Sequence, residues 1–165
     1  MKHRDLCKAG ARFMKKHGIK AWEKPTYVVC ELEVYGESPD VFGFGGGLPQ
    51  LIEVKTSRSD FLADKKKSWR INPERGLGEL RSYLCPEGLI SVDELPENWG
   101  LIYINEESGE MTKIKEPNSQ PSCVHTSMRL AASILRREGI KPQVFSYKKY
   151  VADMTIVSEK DIVKL

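Results

Sequence analysis

Asp40, Glu53 and Lys55 make a reactive set: an acid after Pro39, a second acid after twelve intervening residues, and a lysine two positions further on. Two carboxylates and an amine converging on one point suit a hard divalent cation such as Mg²⁺, which takes oxygen ligands in octahedral geometry and keeps several waters. A water held there, or oriented by Lys55, is placed to attack a phosphodiester while the cation offsets the charge developing on phosphate. That is nuclease chemistry. A lysine acting as general base must give up its proton easily, which neighbouring carboxylates oppose, so stabilisation of developing charge stands beside base catalysis as a role for Lys55.

All three lie in the stretch from Pro39 to Lys55. Two apolar runs flank three glycines and a proline, a pattern that predicts strand, turn and strand. Side chains alternate across a strand, so Glu53 and Lys55 share one face and Val54 points into the core from the other. With Phe44 facing Leu51, Asp40 lies opposite Lys55 and Phe42 opposite Glu53. A one-residue slip would break the arrangement. The glycines at 45 to 47 lack the Gly-Lys-Ser/Thr ending of a phosphate loop and precede a strand, so they read as a flexible hairpin turn.

Pro39-Asp40 followed by Glu53-Val54-Lys55 resembles the signature of the PD-(D/E)XK nuclease superfamily. The run from Ser57 through Asp64 to Lys65-Lys66-Lys67, and the later Leu95-Pro96-Glu97-Asn98-Trp99-Gly100-Leu101-Ile102-Tyr103-Ile104, is similar to the MmcB-like proteins, a DNA-repair-associated branch. The resemblance covers roughly residues 3 to 116. It implies a restriction-endonuclease-like α/β fold, a central mixed sheet flanked by helices, with DNA as substrate. It also implies Mg²⁺ or Mn²⁺ held by Asp40, Glu53 and the Val54 carbonyl, and an acid ahead of the Pro-Asp strand completing the site. Glu31 matches that position best, with Glu33 as the fallback. Repair proteins and a second copy of the chain are partners by the same analogy, since two sites are needed to cut two strands. A catalytically silent module of this fold, binding DNA or a repair partner, is the alternative. Hydrolysis of RNA or of a nucleotide is not separable by sequence.

Lys65, Lys66, Lys67 and Arg70 form a basic cluster just past the acids, a candidate phosphate-contacting ridge or plain solvent dressing. Asp64 reads as a helix-surface partner of these lysines. The stretch from Asn72 to Arg81, broken by a proline and two glycines, is expected as a mobile loop in which Arg75 and Arg81 clamp phosphates. The MmcB-like pattern is shorter there, and nothing carries over onto it.

The chain of 165 residues is expected to be one domain, with residues 117–165 as a helical and mixed extension packed on it. A net charge of +3 permits nucleic-acid binding without arguing for it. Cys7, Cys30, Cys85 and Cys123 are too scattered for a zinc motif or a disulfide framework and are expected as buried reduced thiols. His3 and His125 are isolated, and His17 suits the C-terminal dipole of a helix. No apolar run is long enough to span a bilayer, and no apolar stretch follows the charged amino terminus, so the expected location is cytoplasmic, with no membrane partner.

The remaining periodicities give the element order. Residues 3–17 form an amphipathic helix stopped by Gly18, and Tyr27 to Tyr35 a strand. The hairpin follows, then a helix capped by Ser57 or Ser59 that packs Phe61, Leu62 and Trp69 on the sheet. Strands at Ser82–Cys85, Gly100–Ile104 and Met111–Lys115 come next, with a helical turn near Val92. A helix carrying Leu130, Ala131, Ile134 and Leu135 ends at Gly139. Val144 to Ile156 reads as strand-like and mixed, with Lys148 and Lys149 adding charge.

Overall fold

The computed structural model describes residues 1–32 and 37–138. Contacts divide the chain into two units, Met1–Ala131 and Ala132–Leu165. The element order in the first is α1 (His3–His17), β1 (Tyr27–Cys30), β2 (Val41–Phe44), β3 (Gln50–Val54), α2 (Arg58–Asp64), α3 (Ser68–Ile71), β4 (Leu80–Pro86), β5 (Gly100–Ile104) and β6 (Met111–Lys115). A last helix, α4 (Val124–Arg137), crosses the division, and in the second unit its described turn closes with Glu138 N–H donating to the Ile134 carbonyl. Glu33, Gly139, Lys148, Lys149 and the readings placed on Val144 to Leu165 lie outside the described residues. Among the described residues, no helix is long and apolar enough to cross a membrane.

The six strands form one mixed sheet in sequence order. β1, β2 and β3 pair antiparallel, β3, β4 and β5 pair parallel, and β6 returns antiparallel on β5. Every residue of β3 is buried, as is all of β4 but its last, because these central strands are covered on both faces. The edge strand β6 alternates half-buried with exposed residues: Thr112 and Ile114 face outward, while Met111, Lys113 and Lys115 are half-buried.

One face of the sheet presents Val41, Ile52, Val54, Leu84, Ile102 and Ile104 to α1, whose Leu6, Cys7 and Met14 fill the core against them. α1 approaches so closely at Gly43 that a Cβ there would stand 2.5 Å from Met14 Sδ and 2.7 Å from Pro25 Cγ. The other face carries Phe42, Leu51, Glu53, Arg81, Tyr83 and Leu101, with Phe61 of α2 edge-on against Tyr83 at a centroid distance of 5.2 Å. That polar-lined face belongs to the site.

The hairpin register differs from the expected one by two residues. Phe42, not Phe44, faces Leu51, and Gly43 faces Gln50. The last β2–β3 pair is Gly43 with Gln50, and Phe44 pairs with β1 instead, opposite Tyr27, with Thr26 N–H donating to the Gly45 carbonyl just beyond it. A two-residue shift preserves the side-chain parity. Asp40 moves to the rung of Glu53 and stays on its face, whereas a one-residue slip would have inverted the set.

Three other expectations are corrected. β1 ends at Cys30, because Glu31 adopts a left-handed backbone with φ of 50°. The helix after Ser57 is two short ones, with Lys67 extended between them, and Leu62 is 49% exposed instead of packed. The stretch from Asn72 to Arg81 is an ordered connection: a 3-10 turn at Pro73–Arg75, the fully buried Leu77, and the start of β4 at Leu80.

Candidate active site

The end of the β2–β3 hairpin joins the three residues singled out by type and spacing. Asp40 Oδ2 accepts from the Val54 N–H at 2.8 Å, which ties the end of one strand to the other. Lys55 Nζ lies 3.5 Å from Glu53 Oε2, as expected of side chains two apart on one face. Lys55 and Glu53 are almost fully buried, while Asp40 keeps 16% of its side chain exposed. Asp40 is therefore the more exposed of the two acids.

Around this group the fold adds residues that the spacing alone did not collect. Lys55 Nζ is 3.4 Å from Asp64 Oδ1 and 3.8 Å from Asp60 Oδ1. Arg70 places Nη2 3.0 Å from Glu53 Oε1 as an ion pair and donates from Nε to Asp64 Oδ2 at 2.7 Å, with its Nη1 3.9 Å from Glu37 Oε1. Lys67 Nζ reaches Asp64 Oδ1 at 2.7 Å, and the Tyr83 hydroxyl donates to Asp64 Oδ2 at 2.8 Å. Arg70 also lies over the Trp99 ring, which stacks on Tyr83. The short extended break at Lys67 makes this possible, since it turns α3 back over the sheet and delivers Arg70 to the acids.

The result corrects the reading of two residues. Arg70 is no part of an exposed ridge: its side chain is 2% exposed and closes the acidic site. Asp64 is no surface partner but a buried acceptor for Arg70, Lys67 and Tyr83. Arg81 is corrected as well. It is fully buried, and its guanidinium donates to the carbonyls of Gly78, Pro73, Gly76 and Pro121, so it pins the connection before β4 instead of clamping phosphate. Lys66 and Arg75 are exposed, Lys65 covers the Phe61 ring, and Lys67 divides itself between solvent and Asp64.

Charges in the site are unevenly compensated. Burial lifts Asp40 to about 6, and the neighbouring Glu53 pushes in the same direction against the Val54 N–H, His3 and Lys55. Burial lifts Glu37 to about 7 despite Arg70 and the Leu77 N–H. Asp64 goes the other way: against burial, Arg70, Lys55 and Lys67 hold it well below the usual carboxylate range. Asp40 beside Glu53 is thus the pair that an added cation would relieve most.

Those two acids and a backbone carbonyl form an all-oxygen donor set of the kind a hard divalent ion takes. The fit is better at Asp40 than at Glu53, because Oε1 of Glu53 is already held by Arg70 and Oε2 faces Lys55. Glu31 turns its side chain toward α1. Its carboxylate is half exposed, lies 3.9 Å from Arg4 Nε, and groups with His3 and Cys7. His3 is not isolated: Nε2 is 3.4 Å from Asp40 Oδ1 and Nδ1 is 3.5 Å from Cys7 Sγ. The signal available in the sequence was the four-residue spacing of His3 and Cys7, which puts both on one helix face.

No family model matches the chain, and no curated protein matches it. Among solved structures, the chain is similar to a protein of unknown function from Silicibacter pomeroyi, with 22% identity and a TM-score of 0.60 over 84% of this chain and 90% of that one. The likeness is one of fold: α/β, with a mixed six-stranded sheet flanked by helices.

Proposed function

We propose that this chain is a restriction-endonuclease-like protein of the PD-(D/E)XK type, resembling the MmcB-like branch, that hydrolyses DNA phosphodiester bonds with Mg²⁺ or Mn²⁺ in DNA repair or processing. The observation that carries the reading is the meeting of Asp40, Glu53 and Lys55 at one end of the hairpin, tied by the Asp40 bond to the Val54 N–H. Asp40, Glu53 and the Val54 carbonyl would hold the cation. When bound, it neutralises charge that develops on the phosphate. Lys55, buried among three carboxylates, contributes a fixed positive charge directed at the same point and suits charge stabilisation better than proton abstraction. Exposed Lys66 and Arg75, with Lys65 and Lys67, supply the non-specific phosphate contacts.

One observation favours the rival reading, a silent module that binds DNA or a repair partner. Glu53 already has two cations, Lys55 and Arg70, within ion-pair distance. A metal must compete with both.

The deciding experiment incubates duplex, single-stranded, flapped and branched DNA with the parent chain, Asp40→Asn and Glu53→Gln, in Mg²⁺ or Mn²⁺. Metal-dependent products that disappear in both variants support the nuclease. A folded parent that retains DNA, yields no products and takes up no Mg²⁺ by calorimetry overturns it in favour of the binding module.

A further inference from the structure

A second group of ligand-type side chains sits beside Asp40, outside the set that carries the proposed hydrolysis. His3 and Cys7 occupy successive turns on one face of α1, and Glu31 approaches them where the chain leaves β1. One ligand atom from each lies within 4.8 Å of the other two. The His3 Nδ1 to Cys7 Sγ distance is 3.5 Å. Two ligands at ordinary Zn–N and Zn–S lengths, set at a tetrahedral angle, stand roughly 3.6 Å apart. The pair therefore has the spacing of a tetrahedral edge before any ion is added.

Two further features point the same way. The other ring nitrogen of His3, Nε2, faces Asp40 Oδ1 at 3.4 Å. A histidine that ligates through one nitrogen and donates from the other to a carboxylate is the usual arrangement around zinc, because the carboxylate fixes tautomer and ring orientation. Glu31 takes up a φ of 50°, a region that non-glycine residues rarely enter, and its N–H donates to the Asp40 carbonyl at 3.1 Å. That conformation takes Glu31 out of the alternation of β1 and onto the helix that bears His3 and Cys7.

We infer that His3, Cys7 and Glu31 form a second metal site, for a borderline transition cation such as Zn²⁺, with Asp40 as the carboxylate that orients His3. The donor set of imidazole, thiolate and carboxylate separates it in kind from the all-oxygen group at Asp40 and Glu53, since sulfur and nitrogen ligands select zinc-like ions over Mg²⁺. The site stands whether or not the chain cleaves DNA.

Titration of the metal-free full chain with Co²⁺ tests it, read by the thiolate-to-cobalt charge-transfer absorption and by displacement with Zn²⁺. The expected result is a charge-transfer band that saturates at one equivalent, any Co²⁺ taken up at Asp40 and Glu53 adding no such absorption. His3→Ala and Glu31→Gln, both at substantially exposed side chains, weaken binding at least tenfold in a protein whose circular dichroism is unchanged. Asp40→Asn keeps the absorption but weakens binding by roughly 10 to 100-fold, the usual loss when a histidine's carboxylate partner is removed. Glu53→Gln and Cys30→Ala leave binding as in the parent. Cys7 is fully buried, so Cys7→Ser is read only if it folds, and it should then lose the absorption. A folded parent without the charge-transfer band, or a band untouched by His3→Ala and Glu31→Gln, overturns the site.

Discussion

Arg70 Nη2 sits 3.0 Å from Glu53 Oε1, with the arginine side chain 2% and the glutamate side chain 4% exposed. The arginine comes from a four-residue helix after α2 and the glutamate from the centre of the sheet, so one ion pair locks the crossover to the strand that carries the proposed chemistry. It also makes Glu53 the acid whose availability the rest of the network controls.

Removing Arg70 should therefore damage the fold before anything else. Arg70→Ala leaves Glu53, Asp64 and Glu37 without their shared partner in a buried setting, where breaking a pair from one side costs about 3 to 5 kcal/mol. Urea unfolding should show that loss. A change below about 1 kcal/mol would mean that the pair is solvated in solution.

Stability should fall as pH rises across the weakly acidic range. Glu37 and Asp40, lifted to about 7 and about 6 chiefly by burial, keep protons in the folded chain that the unfolded chain has released by then. More protons bound in the folded state means that unfolding free energy decreases with pH between about 4 and about 7. Asp64 works in the opposite sense, but its stabilising effect is lost only below the ordinary carboxylate range. Unfolding free energies from urea titration should be higher near pH 5 than near pH 8, by on the order of 1 to 3 kcal/mol, and Glu37→Gln should flatten the slope. Saturating Mg²⁺ should remove the share due to Asp40, because the ion requires its ionised form.

Two arginines placed in one loop by sequence should separate cleanly. Arg81→Met removes the donor to four backbone carbonyls and should lower the melting temperature strongly, with several kcal/mol lost. Arg75→Ala and Lys66→Ala should leave melting within a degree or so and lower the salt dependence of DNA affinity by about one unit of slope each. Equal melting for Arg81→Met and the parent would contradict the burial of that guanidinium.

Gly43→Ala tests the fit of α1 on the sheet. The added methyl meets Met14 Sδ and the Pro25 ring closer than real contacts allow, and a proline ring cannot swing aside. A destabilisation of about 1 to 3 kcal/mol is expected in chemical unfolding. A neutral effect would show that α1 can lift away from β2 at no cost.

By itself, the sequence determined the local parts: the helix stopped at Gly18, the strand–glycine turn–strand of the hairpin, the buried strands at 82–85 and 100–104, and the shared face of Glu53 and Lys55. These follow from periodicity, which a chain expresses within one element. Asp40 moved from the expected rung of Lys55 to that of Glu53, and because the register shifted by two the alternation of faces was preserved. Only the tertiary structure decided which charges are buried. Lysine and arginine runs look alike in a sequence whether they face water or acids, and the return of α3 over the sheet is what turned Arg70 and Asp64 inward while leaving Lys66 outside. It likewise decided that Arg81 serves backbone carbonyls, and that His3, near the amino terminus, meets Asp40 across the end of the sheet. Such meetings depend on how elements stack, and no short-range pattern encodes them.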